Sequence, residues 1–150
     1  MKHSSVKIKL LAHNDYSSWL NLWQNYLRFY ETSLPMSIID ATWHNLLNND
    51  IPIYGFGAWK DDILVGFTHV VLHPNTWNTT DCCYLEDLYA SENMRGQGVG
   101  RALIEAVYAF ANEKNCNRVY WVTQENNTSA RKLYDNIASL TNMVQYRKNL

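Results

Sequence analysis

Cysteine is scarce in this sequence, with 3 in 150 residues, at Cys82, Cys83 and Cys116. An odd count without a framework spacing argues against a disulfide scaffold and leads us to expect a cytoplasmic protein. Adjacent Cys82 and Cys83 would point to opposite faces of a strand, so they are not expected to pair. Proline (3) and glycine (6) are also few, and they are scattered; there is no linker, repeat or low-complexity stretch. Only 18% of residues are charged, and neither sign prevails: 13 Lys+Arg stand against 14 Asp+Glu, a net charge of −1. Binding nucleic acid mainly by neutralising phosphates needs a basic excess that is missing here, so no nucleic-acid partner is expected. No apolar run reaches the roughly 18–20 residues of a spanning helix. Met1 to Lys9 is followed by no apolar h-region, so neither a membrane partner nor secretion is expected.

What the sequence does have is apolar and aromatic mass: 47% hydrophobic residues, 6 Trp and 10 Tyr. At this length one domain, residues 1–150, is expected, large enough to bury about 68–70% of its unfolded surface. Strand and helix patterns alternate along it, as in an α/β or α+β sandwich. Val6 to Leu11 alternates as a strand. Trp19, Leu20, Trp23, Tyr26, Leu27 and Tyr30 form one helical face after an Asn14 or Asp15 cap. Pro35 interrupts, and Ile38 to Leu47 is a weaker helix. Tyr54 to Trp59 and Ile63 to Leu72 read as a hairpin turning at Lys60-Asp61-Asp62. Cys82 to Ala90 is the next strand. Val99, Ala102, Leu103, Ala106, Val107 and Phe110 make the clearest amphipathic helix. Arg118 to Thr123 is a strand, Ala130 to Ile137 a short helix, and Met143 to Arg147 is expected to close the sheet as a final strand.

The chemistry is concentrated between strand and helix, at Arg95-Gly96-Gln97-Gly98-Val99-Gly100-Arg101. Glycine lacks Cβ, so the backbone there can approach a ligand closely. The first N–H groups of the following helix have no internal partner and carry partial positive charge. Together they favour a phosphate or pyrophosphate, with Arg95 and Arg101 able to add charge-assisted contacts. A P-loop needs Gly-Lys-Ser/Thr, but Gly100 is followed by Arg101 and Ala102. A dinucleotide fingerprint needs glycine where Arg101 stands. Arg-x-x-Gly-x-Gly fits, through Arg95, Gly98 and Gly100.

That loop resembles the acetyl-CoA pyrophosphate loop of the GNAT superfamily of N-acetyltransferases. Leu85-Glu86-Asp87-Leu88-Tyr89-Ala90 stands where that family's fourth strand would, and Asn126 to Tyr134 is similar to its Asn-x-x-Ala-x-x-x-Tyr region. The Leu-Glu-Asp run is similar to diamine and polyamine acetyltransferases, while the stretch from Leu133 to Arg147 looks more like small histone or protein acetyltransferases. Two positions depart from the family pattern: Ile137-Ala138-Ser139-Leu140 replaces a frequent Gly-Phe, and Glu92 replaces a common loop proline.

The resemblance implies a mixed, mostly antiparallel sheet of six to seven strands with helices on both faces. It implies acetyl transfer from acetyl-CoA, as co-substrate, directly to a primary amine. An alkylamine of pKa about 10.4 is almost wholly protonated at pH 7, so a base must take its proton. Glu86 and Asp87 are the carboxylates beside the loop; neighbouring strand residues face opposite ways unless a bulge intervenes, and the resemblance favours Glu86. Tyr134 matches the family's general acid, although on its helical face it would otherwise read as a core tyrosine. Backbone groups of Leu88, Tyr89 and Ala90 would hold the pantetheine arm like an added strand. The loop residues Arg95, Gly96, Gln97, Gly98, Val99, Gly100 and Arg101 would hold the pyrophosphate, with Asn127 and Ala130 also on the cofactor. Asn127 equally suits a helix N-cap.

Glu31, Asp87 and Trp121 are candidates for the acceptor side, where carboxylates and aromatic faces favour a cationic amine. His3, His13, His44, His69 and His73 show no metal-ligand spacing, so no metal is expected. A polyamine, diamine or other cationic amine is the leading acceptor. Protein or histone lysine and N-terminal amines are the alternative, as is a non-catalytic acyl-CoA sensor. A homodimer is a family-level expectation.

Overall fold

The computed structural model describes residues 6–150, so His3 and the start of the N-terminal stretch lie outside the described residues. The elements are β1 (Lys7–Leu10), α1 (Tyr16–Phe29), α2 (Met36–Leu47), β2 (Ile53–Lys60), β3 (Ile63–His73), β4 (Cys82–Ala90), α3 (Val99–Glu113), β5 (Arg118–Tyr120) and α4 (Thr128–Ile137). The strands form one sheet in sequence order, antiparallel from β1 to β4, with β5 parallel to β4.

Aromatic residues on α1 explain one layer. Trp19, Leu22, Trp23 and Leu27 are buried with Ile39, Trp43 and Leu46 of α2 against Leu64, Phe67 and Tyr89 of the sheet. Trp19 is wholly buried and stacks on Trp23 at 5.8 Å between ring centroids. The apolar stripe of α3 fills the other layer, where Leu103, Ile104 and Val107 meet Phe56, Val70 and Leu85; Leu133, Tyr134 and Ile137 of α4 pack at its border. The hairpin turn is tight because Asp61 and Asp62 adopt φ of 50° and 63°, the left-handed pair that a two-residue hairpin requires.

One irregularity of the sheet matters for the site. Val70 pairs with Leu85 but His69 pairs with Asp87, so Glu86 is an extra, bulged residue of β4. A bulge resets the alternation of faces. Before it, Cys83 and Leu85 belong to the α3 layer; after it, Leu88 and Ala90 do, and Tyr89 joins the α1 layer.

Three expectations need correction. The sheet has five strands rather than six to seven, and Met143 to Arg147 forms no strand. A strand exists only where its backbone pairs with a neighbour, and this stretch pairs with none of the five strands. The hydrogen bonds of the tail beyond Ala138 are local among the described residues, such as Met143 N–H to Thr141 Oγ1. It leaves Leu140, Met143, Val144 and Tyr146 75%, 82%, 77% and 93% exposed. The strand expected over Arg118 to Thr123 stops at Tyr120, because β5 pairs only with Cys82 to Tyr84, ahead of the bulge.

Candidate active site

The parting of β4 from β5 creates the site. Beyond Tyr84, β4 has β3 on one side and, among the described residues, no strand on the other. Alternate backbone N–H and C=O groups of Glu86 to Ala90 along that open edge are therefore available to an extended ligand.

The glycine loop lies at the far end of this edge. Gly96 and Gly98 have φ of 78° and 80°, and a Cβ added at either would meet nothing within 4 Å. These glycines thus serve backbone conformation, not packing. Gly98 caps α3 in the left-handed region, and Ala102 N–H to Gly98 C=O is the first helical bond. The N–H groups of Gly96, Gly98, Val99, Gly100 and Arg101 make no hydrogen bond among the described residues. This is the donor array an anion needs at a helix N-terminus.

Arg95 lies over the Phe29 ring at 5.3 Å, and Arg101 pairs with Glu105 at 3.7 Å. Gln97 points its amide elsewhere: its Oε1 accepts from Lys60 Nζ at 2.9 Å, tying the loop to the end of β2. Lys60 is thus a loop cation that carried no sequence signal. A cleft of about 720 Å³ opens beside the loop, with Phe29, Tyr89 and Arg95 among its walls.

Tyr134 is half-buried on α4, with Trp121 edge-on at 5.3 Å. Its hydroxyl makes no hydrogen bond among the described residues, and burial, with a smaller push from Tyr30, raises its pKa above the ordinary phenol value. Leu133 beside it packs 3.6 Å from where a Gly100 Cβ would stand, so α4 abuts the start of α3. Asn127 precedes α4 without a side-chain cap bond, and Ala130 is half-buried on that helix. α4, which carries Tyr134, thus lies beside the loop-capped start of α3.

The two carboxylates part company at the bulge. Glu86 is exposed, and its pKa is raised, first by partial desolvation and then by the Asp87 charge, with His69 acting in the opposite sense. Asp87 is held. Tyr26 donates to its Oδ1 at 2.8 Å, and His69 Nδ1 lies 2.9 Å from its Oδ2. Trp19 Nε1 lies 3.0 Å from the other ring nitrogen of His69. An indole N–H can only donate, so Nε2 accepts and Nδ1 carries the proton given to Asp87. Burial and Asp87 raise the Tyr26 phenol well above its ordinary range, keeping it a donor.

Glu31 is exposed at the end of α1 with φ of 55°, beside a shallow depression shared with Arg28, Thr32 and Ser33. Nothing brings it into contact with the bulge. Cys82 and Cys83 are buried free thiols, Cys116 is half-buried, and burial pushes Cys83 up to about 12. Among the described residues no three His, Cys, Asp or Glu side chains group around a metal position, and no helix is long and apolar enough to cross a membrane.

Comparison with known proteins matches this geometry. The sequence model of the Acetyltransferase (GNAT) family matches residues 16–137. The D-amino-acid N-acetyltransferase HPA3 of Saccharomyces cerevisiae is 32% identical over 151 residues, covering 99% of this chain and 94% of that protein. The thialysine N-epsilon-acetyltransferase of Bos taurus is 32% identical over 78 residues, 52% of this chain and 45% of that protein. Among solved structures, the aminoglycoside N-acetyltransferase AAC(6')-Iy in complex with CoA shares the fold with a TM-score of 0.83 at 20% identity, over 99% of this chain and 97% of that one. An aminoglycoside acetyltransferase from a soil metagenome, meta-AAC0020, superposes with a TM-score of 0.82 at 25% identity, over 97% and 96%. The open β4 edge, the anion-ready loop and these likenesses lead to one conclusion: the chain belongs to the GNAT acetyltransferase family.

Proposed function

We propose that this GNAT N-acetyltransferase moves the acetyl group of acetyl-CoA to the primary amine of a small cationic molecule. The observation that carries the reading is the set of unpartnered amides of Gly96, Gly98, Val99, Gly100 and Arg101 at the end of an open strand edge. A pyrophosphate on those amides and a pantetheine arm along Leu88, Tyr89 and Ala90 would use both features at once. That arm would bring the thioester toward the bulge and Tyr134. Lys60 and Arg95 would add positive charge beside the phosphates.

In the transfer, Glu86 takes the ammonium proton and the freed nitrogen attacks the thioester carbonyl carbon. The tetrahedral intermediate collapses, the C–S bond breaks, the sulfur takes its proton from the Tyr134 hydroxyl, and the acylated nitrogen gives up its remaining extra proton, which restores that hydroxyl. The free hydroxyl of Tyr134, kept protonated by its raised pKa, can serve as the acid, and the exposed Glu86, also raised, suits the base. Asp87 adds negative charge that favours a cationic acceptor, with Trp121 and Glu31 the further acceptor-side candidates.

Two acceptor classes lead. The adjacent carboxylates favour diamines and polyamines; the relative similar over nearly the full length is described as acting on D-amino acids, which favours an amino-acid amine. Mass-spectrometric detection of acetylated product across diamines, spermidine, D- and L-amino acids, thialysine, aminoglycosides and basic peptides tests the reading. Acetylation of a small amine supports it. Acetylation of peptides alone turns it toward a protein acetyltransferase, and CoA binding without any product turns it toward a sensor.

The reading includes a homodimer. The tail beyond α4 exposes Leu140, Met143, Val144 and Tyr146, while β5 is, among the described residues, an open edge of the sheet. Exposed apolar surface and an unpaired edge both seek cover, and a second copy supplies both complements.

A further inference from the structure

The buried chain Trp19–His69–Asp87–Tyr26 has a consequence beyond the acetyl-transfer reading, on which it rests. His69 and Asp87 face each other at the last register position before the bulge. In a strand, a slip of one residue exchanges the faces of neighbouring side chains. Glu86 and Asp87 are such neighbours, and both are carboxylates. Chemistry alone does not decide which of them meets the acceptor; the position of the bulge does.

We propose that His69 is a positioning residue: by donating to Asp87 it pins the bulge at Glu86, holding Asp87 on the α1 side and leaving Glu86 as the accessible carboxylate. The geometry supports this at each link. His69 is 2% exposed and offers a single tautomer, because Trp19 occupies its Nε2. The Asp87 side chain is 16% exposed, and both its oxygens are bound from the α1 side. A largely buried carboxylate that loses a donor bears a desolvation cost, so it is driven to turn or the strand to slip. Tyr26 alone holds only one oxygen. The specificity resides in the pairing of one donor with one register, not in the histidine's charge.

The test compares His69→Leu, His69→Asn, Asp87→Asn and the His69→Leu/Asp87→Asn double variant. The readouts are amine-transfer kinetics, CoA affinity, and NMR of the strand register and the His69 ring. In wild type, the ring nitrogens should show a protonated Nδ1 and a bare Nε2, and cross-strand amide contacts should pair residue 69 with residue 87. His69→Leu should lose that pairing and lower kcat by about tenfold or more, with CoA affinity unchanged. His69→Asn retains an N–H near the Nδ1 position and should recover part of the loss. In the Asp87→Asn background His69→Leu should add little, because both act through one bond.

An unchanged register in His69→Leu, or fully multiplicative effects of the two substitutions, would overturn the proposal, as would a variant that loses only thermal stability. If wild type acetylates none of the amines, the functional reading fails, while the register measurement still decides the structural claim.

Discussion

The Tyr134 ring meets Trp121 edge-on at 5.3 Å, and its hydroxyl is left without a hydrogen-bond partner among the described residues. A core tyrosine normally satisfies its O–H, as Tyr108 does by donating to the Ile137 carbonyl at 2.8 Å. The contrast between the two tyrosines separates a structural phenol from one poised to give up a proton. Tyr134→Phe removes only that hydroxyl. It should lower kcat by about 10²–10⁴-fold while CoA affinity and melting temperature stay close to wild type. Calorimetric CoA binding alongside single-turnover kinetics checks this. Unchanged kcat would return Tyr134 to the core.

The two proposed proton carriers set the pH profile. Glu86 must be ionised to act, so kcat/KM should rise with pH through its raised pKa. Tyr134 must be protonated, so activity should persist until pH passes its raised pKa. Glu86→Gln should abolish the rising limb and lower the rate. Asp87→Asn removes a charge that raises Glu86, so the limb should move to lower pH. The profile of kcat/KM in the three proteins is the measurement. A limb that survives Glu86→Gln would assign the base elsewhere.

Much of this arrangement was legible in the sequence, for physical reasons. β4 runs over Cys82–Ala90 as expected, because turn residues bound an apolar run on both sides. The glycine turn was legible because positive φ favours glycine, and Gly96 and Gly98 adopt it. The bulge was not located, since one extra residue leaves no mark on composition. The network around Asp87 was equally silent: it joins Tyr26, 61 residues away in the chain, to His69, 18 residues away. Such a bond exists only after the strands have paired. Met143 to Arg147 has the composition of a strand, but composition does not fix the cross-strand pairing that makes one, and this stretch pairs with none of the five strands.

Gly98 gives a test of the loop independent of catalysis. A side chain at its φ of 80° costs about 1–2 kcal/mol. Its Cβ would stand in open space, with nothing within 4 Å, so the cost falls on the backbone that presents the amides. Gly98→Ala should therefore weaken CoA binding by about tenfold or more, with a modest fall in melting temperature. Isothermal titration with CoA and thermal unfolding measure the two effects separately. Undiminished CoA affinity would remove the loop from the cofactor site.

The cysteines bear on how activity is followed. Cys82 and Cys83 are buried, and a Cys83 thiol near 12 holds almost no thiolate at neutral pH. Cys116 is half-buried and also raised, chiefly by burial. A thiol reagent added to the native protein should label at most one site, and that slowly; three should react in denaturant. Rapid labelling of two or more thiols in the native state would contradict this burial.

The tail makes the last prediction. A tail that holds Leu140, Met143, Val144, Tyr146 and Leu150 in water is costly, since each large apolar side chain left exposed forgoes about 1.5–3 kcal/mol of burial. Pairing with the open β5 edge of a second copy would satisfy the backbone and cover those side chains at once. Light scattering should therefore give a dimer for the whole chain and a monomer for a chain ending at Ser139. Because α4 ends at Ile137, the shortened protein retains the loop, the β4 edge and Tyr134. It should bind CoA with near-unchanged affinity while its melting temperature falls and loses its dependence on protein concentration. A whole chain that stays monomeric at high concentration would exclude a second copy as the cover for this surface.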